Sequence, residues 1–123
     1  MSPRSEEYMD MAEEALQVAR LALSSHHYAD AVSRAYYAML NAARAALSER
    51  DLYAKTHRGL WSLFSETFVK SGQLDSSWSK RIDQARILRE GGDYGAKRPA
   101  PEAATNVVES AGEFVAEIER LFA

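Results

Sequence analysis

The stretch that most constrains this chain runs from Tyr28 to Glu49, YADAVSRAYYAMLNAARAALSE. It holds no Gly and no Pro and is rich in Ala. It therefore favours a helix of about six turns, roughly 30 Å long at 1.5 Å per residue. Val32, Tyr36, Met39, Ala43 and Leu47 recur at helical spacing, and Ala31, Ala35, Ala38, Ala42 and Ala46 recur on a neighbouring face. Only a narrow seam is polar: Asp30, Arg34, Asn41, Arg44 and Ser48. A helix that is apolar on most sides is a central one, covered by other helices, and its alanines let those helices come close. Arg34 has two readings. It reaches solvent or pairs with Asp30 one turn earlier, or it joins Asp30 and Asn41 in a buried polar seam or dimer contact.

The 123 residues suffice for a single domain, 1–123, and not for two. There is no run of 18 apolar residues, so no membrane span is expected. The first residues, MSPRSEEYMDMAEEAL, lack the apolar core of a secretory signal. The absence of Cys excludes disulfide and thiol chemistry and fits a cytoplasmic protein. A net charge of −3 argues against a generic nucleic-acid coat. Its distribution is uneven. Residues 1–53 carry five Lys/Arg and eight Asp/Glu, residues 54–98 nine and five, and residues 99–123 one and five. A basic middle between acidic flanks can bind phosphate locally, or it can be a solvated face that balances them.

Four further helices follow from periodicity. Ser5–Ser24 has an apolar stripe that includes Tyr8, Ala15, Ala19 and Leu23, with acidic residues in its first turns that suit the helix dipole. Thr56 is placed to cap a helix from His57 to about Lys70, whose stripe holds Leu60 or Trp61, Leu63 or Phe64, and Phe68. Gly72 suits the left-handed position that ends it. Asp75 or Ser76 opens a helix with Trp78, Ile82, Ala85 and Leu88 inward, which Gly91-Gly92 is expected to stop. Pro101 starts the last helix, through Val107 or Val108, Ala111, Phe114 or Val115, Ile118, and Leu121 or Phe122. The expected fold is all-α, an antiparallel up-and-down bundle of about five helices.

Strict alternation would sort the loops into two ends. One end would hold His26, His27 and the Ser71–Trp78 turn. The other would gather Arg50, Lys55, His57 and Arg58 with Arg89, Asp93, Tyr94, Lys97 and Arg98. That second end collects most of the basic middle, one His and one Tyr, and lies near a helix N-terminus whose free N–H groups favour an anion. It is the expected nucleotide- or RNA-binding site: Lys55, His57, Arg58, Arg89, Asp93, Tyr94, Lys97 and Arg98.

Other chemistry finds little support. His26 and His27 are adjacent on a turn, where both rarely reach one ion, and no third ligand stands at metal spacing, so neither metal nor cofactor is expected. Phosphate-loop, dinucleotide, zinc-protease and nucleophile-elbow motifs are all absent. Trp61, Phe64, Phe68 and Trp78 read as core.

The segments AVSRAYYAMLNAARAAL, KTHRGLWSLF and LREGGDY, in that order before a last amphipathic helix, resemble the HEPN domains. The resemblance is to their small stand-alone branch. Its S-R-x-Y-Y-A signature stands here at Ser33, Arg34, Tyr36, Tyr37 and Ala38, and its A-D-Y-like ending at Gly92, Asp93 and Tyr94. The resemblance implies a helical bundle that usually forms a homodimer, beside a minimal nucleotidyltransferase in a toxin–antitoxin-like module. Many members are metal-independent ribonucleases with an Arg, four to six residues, then a His. In that chemistry the His moves a proton at the 2′-OH or leaving oxygen and the Arg stabilises the phosphorane.

Here no His follows Arg86 or Arg89. The residue five positions after Arg89 is Tyr94, a poor base at neutral pH with an ordinary pKa of about 10. The expected function is accordingly that of the partner protein of a nucleotidyltransferase-type module, binding nucleotide or RNA at its basic end. The alternatives are an endoribonuclease with His57, Arg89 and Tyr94 as candidate catalytic residues, and a structural interaction module.

Overall fold

A computed structural model describes residues 1–94 and 98–123, with the backbone alone at Asp93 and Tyr94. It contains five α-helices: α1 (Pro3–Ser24), α2 (Tyr28–Ser48), α3 (His57–Phe64), α4 (Ser77–Tyr94) and α5 (Pro101–Leu121). There is no strand among the described residues. The all-α bundle is as the periodicity predicts. A π-turn, Ser65–Val69, extends α3.

The helix ends follow local chemistry. The Ser2 hydroxyl accepts from the Ser5 N–H at 3.2 Å, and that of Thr56 from the Gly59 N–H at 2.9 Å, each satisfying a donor the helix leaves free. Pro3 and Pro101 occupy first-turn positions. Gly72, at φ 85°, supplies the left-handed turn after the π segment. One expected stop fails. Gly91 and Gly92 lie inside α4, which continues to Tyr94. Two glycines cost a helix about 1 kcal/mol each, and packing against α2 outweighs that: a Cβ on Gly92 would lie 3.7 Å from that of Ala29.

As the composition predicts, α2 is central, packed against all four other helices. Ala31, Ala35, Ala38, Ala42, Ala43, Ala45 and Ala46 are fully covered, together with Tyr36, Met39 and Leu40. Beside them Phe114 of α5 collects the other aromatic residues. Its ring centroid lies 5.2 Å from Trp78, 5.4 Å from Phe64 and 6.4 Å from Trp61.

Helix directions follow from named contacts. Ser5, at the start of α1, donates to Glu49, at the end of α2, so these two are antiparallel. Along α3 and the π-turn, Trp61 meets Tyr36, whereas Phe68 meets Phe122 and the Arg50 guanidinium. This helix therefore runs in the same sense as α2 and α5, not opposite to α2 as strict alternation requires. The segment 49–56 makes this possible by climbing back along α2, with Leu52 and Ala54 against the core and Tyr53 beneath the Arg4 guanidinium at 4.6 Å. The turn after the π segment returns to the same foot of the bundle, where Arg50 Nη2 donates to Gln73 Oε1 at 3.0 Å. From there α4 runs antiparallel to α2 and α5. Arg81, stacked on Trp78 at 4.0 Å, donates to Ser110 and pairs with Glu113.

Candidate functional site

The middle of α2 carries two adjacent tyrosines that differ in burial. Tyr36 is 1% exposed and Tyr37 is half-buried. A buried phenol needs a hydrogen-bond partner, and each finds one on a different helix. Trp61 Nε1 of α3 donates to the Tyr36 hydroxyl at 2.9 Å. Arg89 Nη2 of α4 donates to the Tyr37 hydroxyl at 3.0 Å. The Arg89 guanidinium also lies 5.1 Å from the Tyr36 ring and 5.0 Å from the Tyr37 ring, within reach of both π faces.

His57 opens α3 against the same pair, with ring centroids 6.0 Å from Tyr36 and 6.1 Å from Tyr37. Burial lowers its pKa from the ordinary value, and the positive charges of Arg44 and Arg89 lower it further. The imidazole is therefore neutral at pH 7, with one nitrogen able to accept a proton. Burial pushes the Tyr36 phenol the other way, raising its pKa, although the Trp61 N–H, Arg89 and Arg86 oppose the shift. Tyr36 is thus a neutral, fixed hydroxyl. The cluster combines guanidinium groups, a neutral imidazole and two phenols on a half-open surface, a set suited to holding a phosphodiester and moving a proton beside it.

His57 and Arg89 are thus brought together, as expected. They meet on the middle of α2 and not at an end of the bundle. Arg58 is exposed next to His57, and Lys55 is exposed on the preceding loop. Arg98 stands apart from them. It lies at the head of the bundle with His26, His27 and Asp30, the opposite placement to that expected, because α4 runs towards the start of α2. The backbone of Asp93 and Tyr94 completes α4 at that same end; the expected roles of their side chains, and Lys97 altogether, lie outside the described residues.

In the polar seam, Asn41 is 6% exposed and donates through Nδ2 to the Tyr37 carbonyl at 3.0 Å. Asp30 and Arg34 are exposed in the single chain, so Arg34 follows the solvent-reaching alternative, with its guanidinium 5.6 Å from the Tyr37 ring. Tyr36, Tyr37, Arg44 and Arg86 were not among the expected ligand-binding residues. The available signal was two phenols in tandem within an Ala-rich apolar helix, where each hydroxyl must find a partner from another element. No group of three or more His, Cys, Asp or Glu able to hold a metal ion occurs among the described residues. No helix among them is long and apolar enough to cross a membrane.

The HEPN domain family matches residues 5–121. A protein named "Putative toxin MJ0605" from Methanocaldococcus jannaschii is 33% identical over 91% of this chain and 84% of its own length. A UPF0332 protein of Gloeobacter violaceus is 39% identical over 77% of this chain and 75% of its own. Another of Archaeoglobus fulgidus is 36% identical over 85% and 83%. With nearly the whole length matched and all five helices present, the chain belongs to the HEPN domain family.

Proposed function

We propose that this protein is the toxin-like component of a two-protein, toxin–antitoxin-like module. It binds RNA through phosphate contacts at the His57–Arg89–Tyr37 cluster and is held in check by a nucleotidyltransferase-type partner. The observation that carries the reading is the convergence of Arg89 and His57 from two helices onto the tandem tyrosines of a third. Family membership and the naming of a relative as a putative toxin support the module. A homodimer would place two such clusters in one particle. The test is induced expression in a bacterial host alongside binding of a labelled structured RNA by the purified protein. Slowed growth and RNA binding, both relieved by Arg89→Ala, are expected. Unimpaired growth together with no RNA binding would overturn the proposal.

A second reading, cleavage of the bound RNA, is favoured by the lowered pKa of His57 beside arginine. The neutral imidazole accepts the 2′-OH proton as that oxygen attacks phosphorus. The 5′-oxygen leaves with a proton taken from water, giving a 2′,3′-cyclic phosphate and a 5′-hydroxyl, while Arg89 stabilises the phosphorane. Such products formed in EDTA by the parent protein and not by His57→Ala would establish it. Intact RNA with both proteins would leave a binding role alone.

A further inference from the structure

The outer side of α1 carries a seam that the bundle does not use. Glu7, Met11, Glu14, Val18 and Leu21 recur at alternating steps of four and three, and all are exposed. They lie opposite the buried face of the helix, which holds Ser5, Met9, Ala12, Leu16 and Ala19. Alternating steps of four and three are the spacing by which one helix packs along another in a coiled coil. Met11 is 46% exposed, Val18 42% and Leu21 67%. Single apolar residues on a surface need no explanation, but three on one seam of one helix form a patch. A shallow hollow of ≈ 450 Å³, lined by Gln17, Arg20, Leu21 and Ser24, flanks the seam at Leu21.

The charge on this seam is uncompensated. The helix carries five acidic residues and two arginines, and both arginines are held elsewhere. Arg4 stacks on Tyr53, with its guanidinium 4.6 Å from the ring centroid. Arg20 reaches across to α5 and covers Gly112, where a Cβ would come within 2.8 Å of Nη2. Of the acids, Glu13 is committed to Glu119 of α5. Glu7 and Glu14 on the seam, and Asp10 beside it, form no ion pair among the described residues. Elsewhere in the chain the carboxylates of Glu66, Asp83, Glu113 and Glu117 each meet a cation.

A helix laid along the seam would bury Met11, Val18 and Leu21 and close over Glu7 and Glu14. A carboxylate taken out of water in this way needs a cation beside it. A second copy of this chain cannot supply one through the same seam, because Arg4 and Arg20 are engaged. A foreign helix with Lys or Arg recurring seven residues apart beside an apolar stripe supplies both the cation and the apolar cover.

We propose that the outer face of α1 is a docking surface for a basic amphipathic helix of another protein. The apolar stripe of that helix packs on Met11, Val18 and Leu21, and its lysines or arginines meet Glu7 and Glu14, with Asp10 at the rim. The alternation of acidic and apolar positions fixes the register of the pair.

Calorimetric titration with two synthetic helical peptides tests it. One peptide has leucine at its seam positions and lysine at the flanking ones; the other replaces each lysine by glutamate. The lysine peptide is expected to bind roughly tenfold or more tighter than the glutamate peptide. Val18→Gln combined with Leu21→Gln, at exposed positions, should weaken it about fivefold or more. Glu7→Gln combined with Glu14→Gln should weaken it to a similar degree and flatten its dependence on salt. Ile87→Gln removes an apolar side chain that is 61% exposed on α4, and should change nothing. Equal affinity for the two peptides, full affinity in both double variants, or the same loss in Ile87→Gln would overturn the proposal. So would a dimer of the parent protein in sedimentation that Val18→Gln with Leu21→Gln dissociates, because the seam would then belong to a second copy.

Discussion

Arg89 Nη2 donates to the Tyr37 hydroxyl at 3.0 Å, across residues more than fifty positions apart in sequence. The bond fixes a guanidinium against the central helix at a point where α4 passes α2. Replacing Tyr37 by Phe removes the acceptor and keeps the ring. We expect a stability loss of about 1 kcal/mol in denaturant unfolding and a few-fold loss of RNA affinity. Arg89→Ala should cost more affinity, roughly tenfold or greater, and should flatten the dependence of binding on salt by about one phosphate contact. Unchanged affinity in both variants would separate this bond from ligand binding.

His57 is held below its ordinary pKa by burial and by two arginines. In a pH titration followed by NMR its imidazole should titrate below about 6.5, and addition of inorganic phosphate should raise that pKa. The sign for stability follows. The unfolded chain takes the proton more readily, so this group lowers stability as pH falls through that region and has no effect above it. His57→Gln should remove that acid-side loss. A titration at or above the ordinary value would contradict the burial described here.

The Glu119 carboxyl, hydrogen-bonded to Glu13 across α1 and α5, has its pKa raised from 4.5 to about 7. The native state therefore binds this proton more tightly than the unfolded chain. Its contribution is fully present below the ordinary pKa and is lost as pH rises through about 7. Both side chains are exposed, so the effect is screened and should stay below about 1 kcal/mol. Calorimetric Tm measured across this range should decline less in Glu119→Gln than in the parent.

Phe114 is fully buried and meets Trp61, Phe64 and Trp78. Truncation to Ala leaves a cavity where α3, α4 and α5 join, at a cost of about 3–5 kcal/mol. Urea unfolding monitored through tryptophan fluorescence gives the number. A loss below about 1 kcal/mol would mean that the core closes over the gap.

Much of this architecture is legible in the sequence because helical periodicity and capping are local. The all-round apolar character of Tyr28–Glu49 marks α2 as central, and Thr56, Gly72 and Pro101 mark boundaries by chemistry that reads over a few residues. Direction is not local. The segment 49–56 has the length of an ordinary connection, and nothing in it announces that it doubles back along α2. That return turns α3 over, moves His57 to mid-bundle and sends Arg98 to the other pole. For the same reason the pairing of His57 with Arg89 on Tyr36 and Tyr37 is a tertiary fact, and Tyr36 reads from sequence only as part of an apolar stripe. The glycines at 91 and 92 mislead because α4 continues through them, with Gly92 packed against Ala29 of α2.

The stretch between Arg50 and Gln73 leaves the foot of α2 and comes back to it, where the two side chains are joined. It is therefore a closed excursion, anchored at its neck and by the aromatic residues Trp61, Phe64 and Phe68, while α1, α2, α4 and α5 remain continuous without it. Opening it would expose Leu60, Phe64 and Phe68 together, so the excursion opens as one unit. His57 rides on this excursion and Arg89 on α4, so any ligand that bridges the two ties the excursion to the other helices and works as a latch. The amides of α3 and the π-turn should exchange with solvent ahead of those of α1 and α2, and slow selectively when that latch is closed.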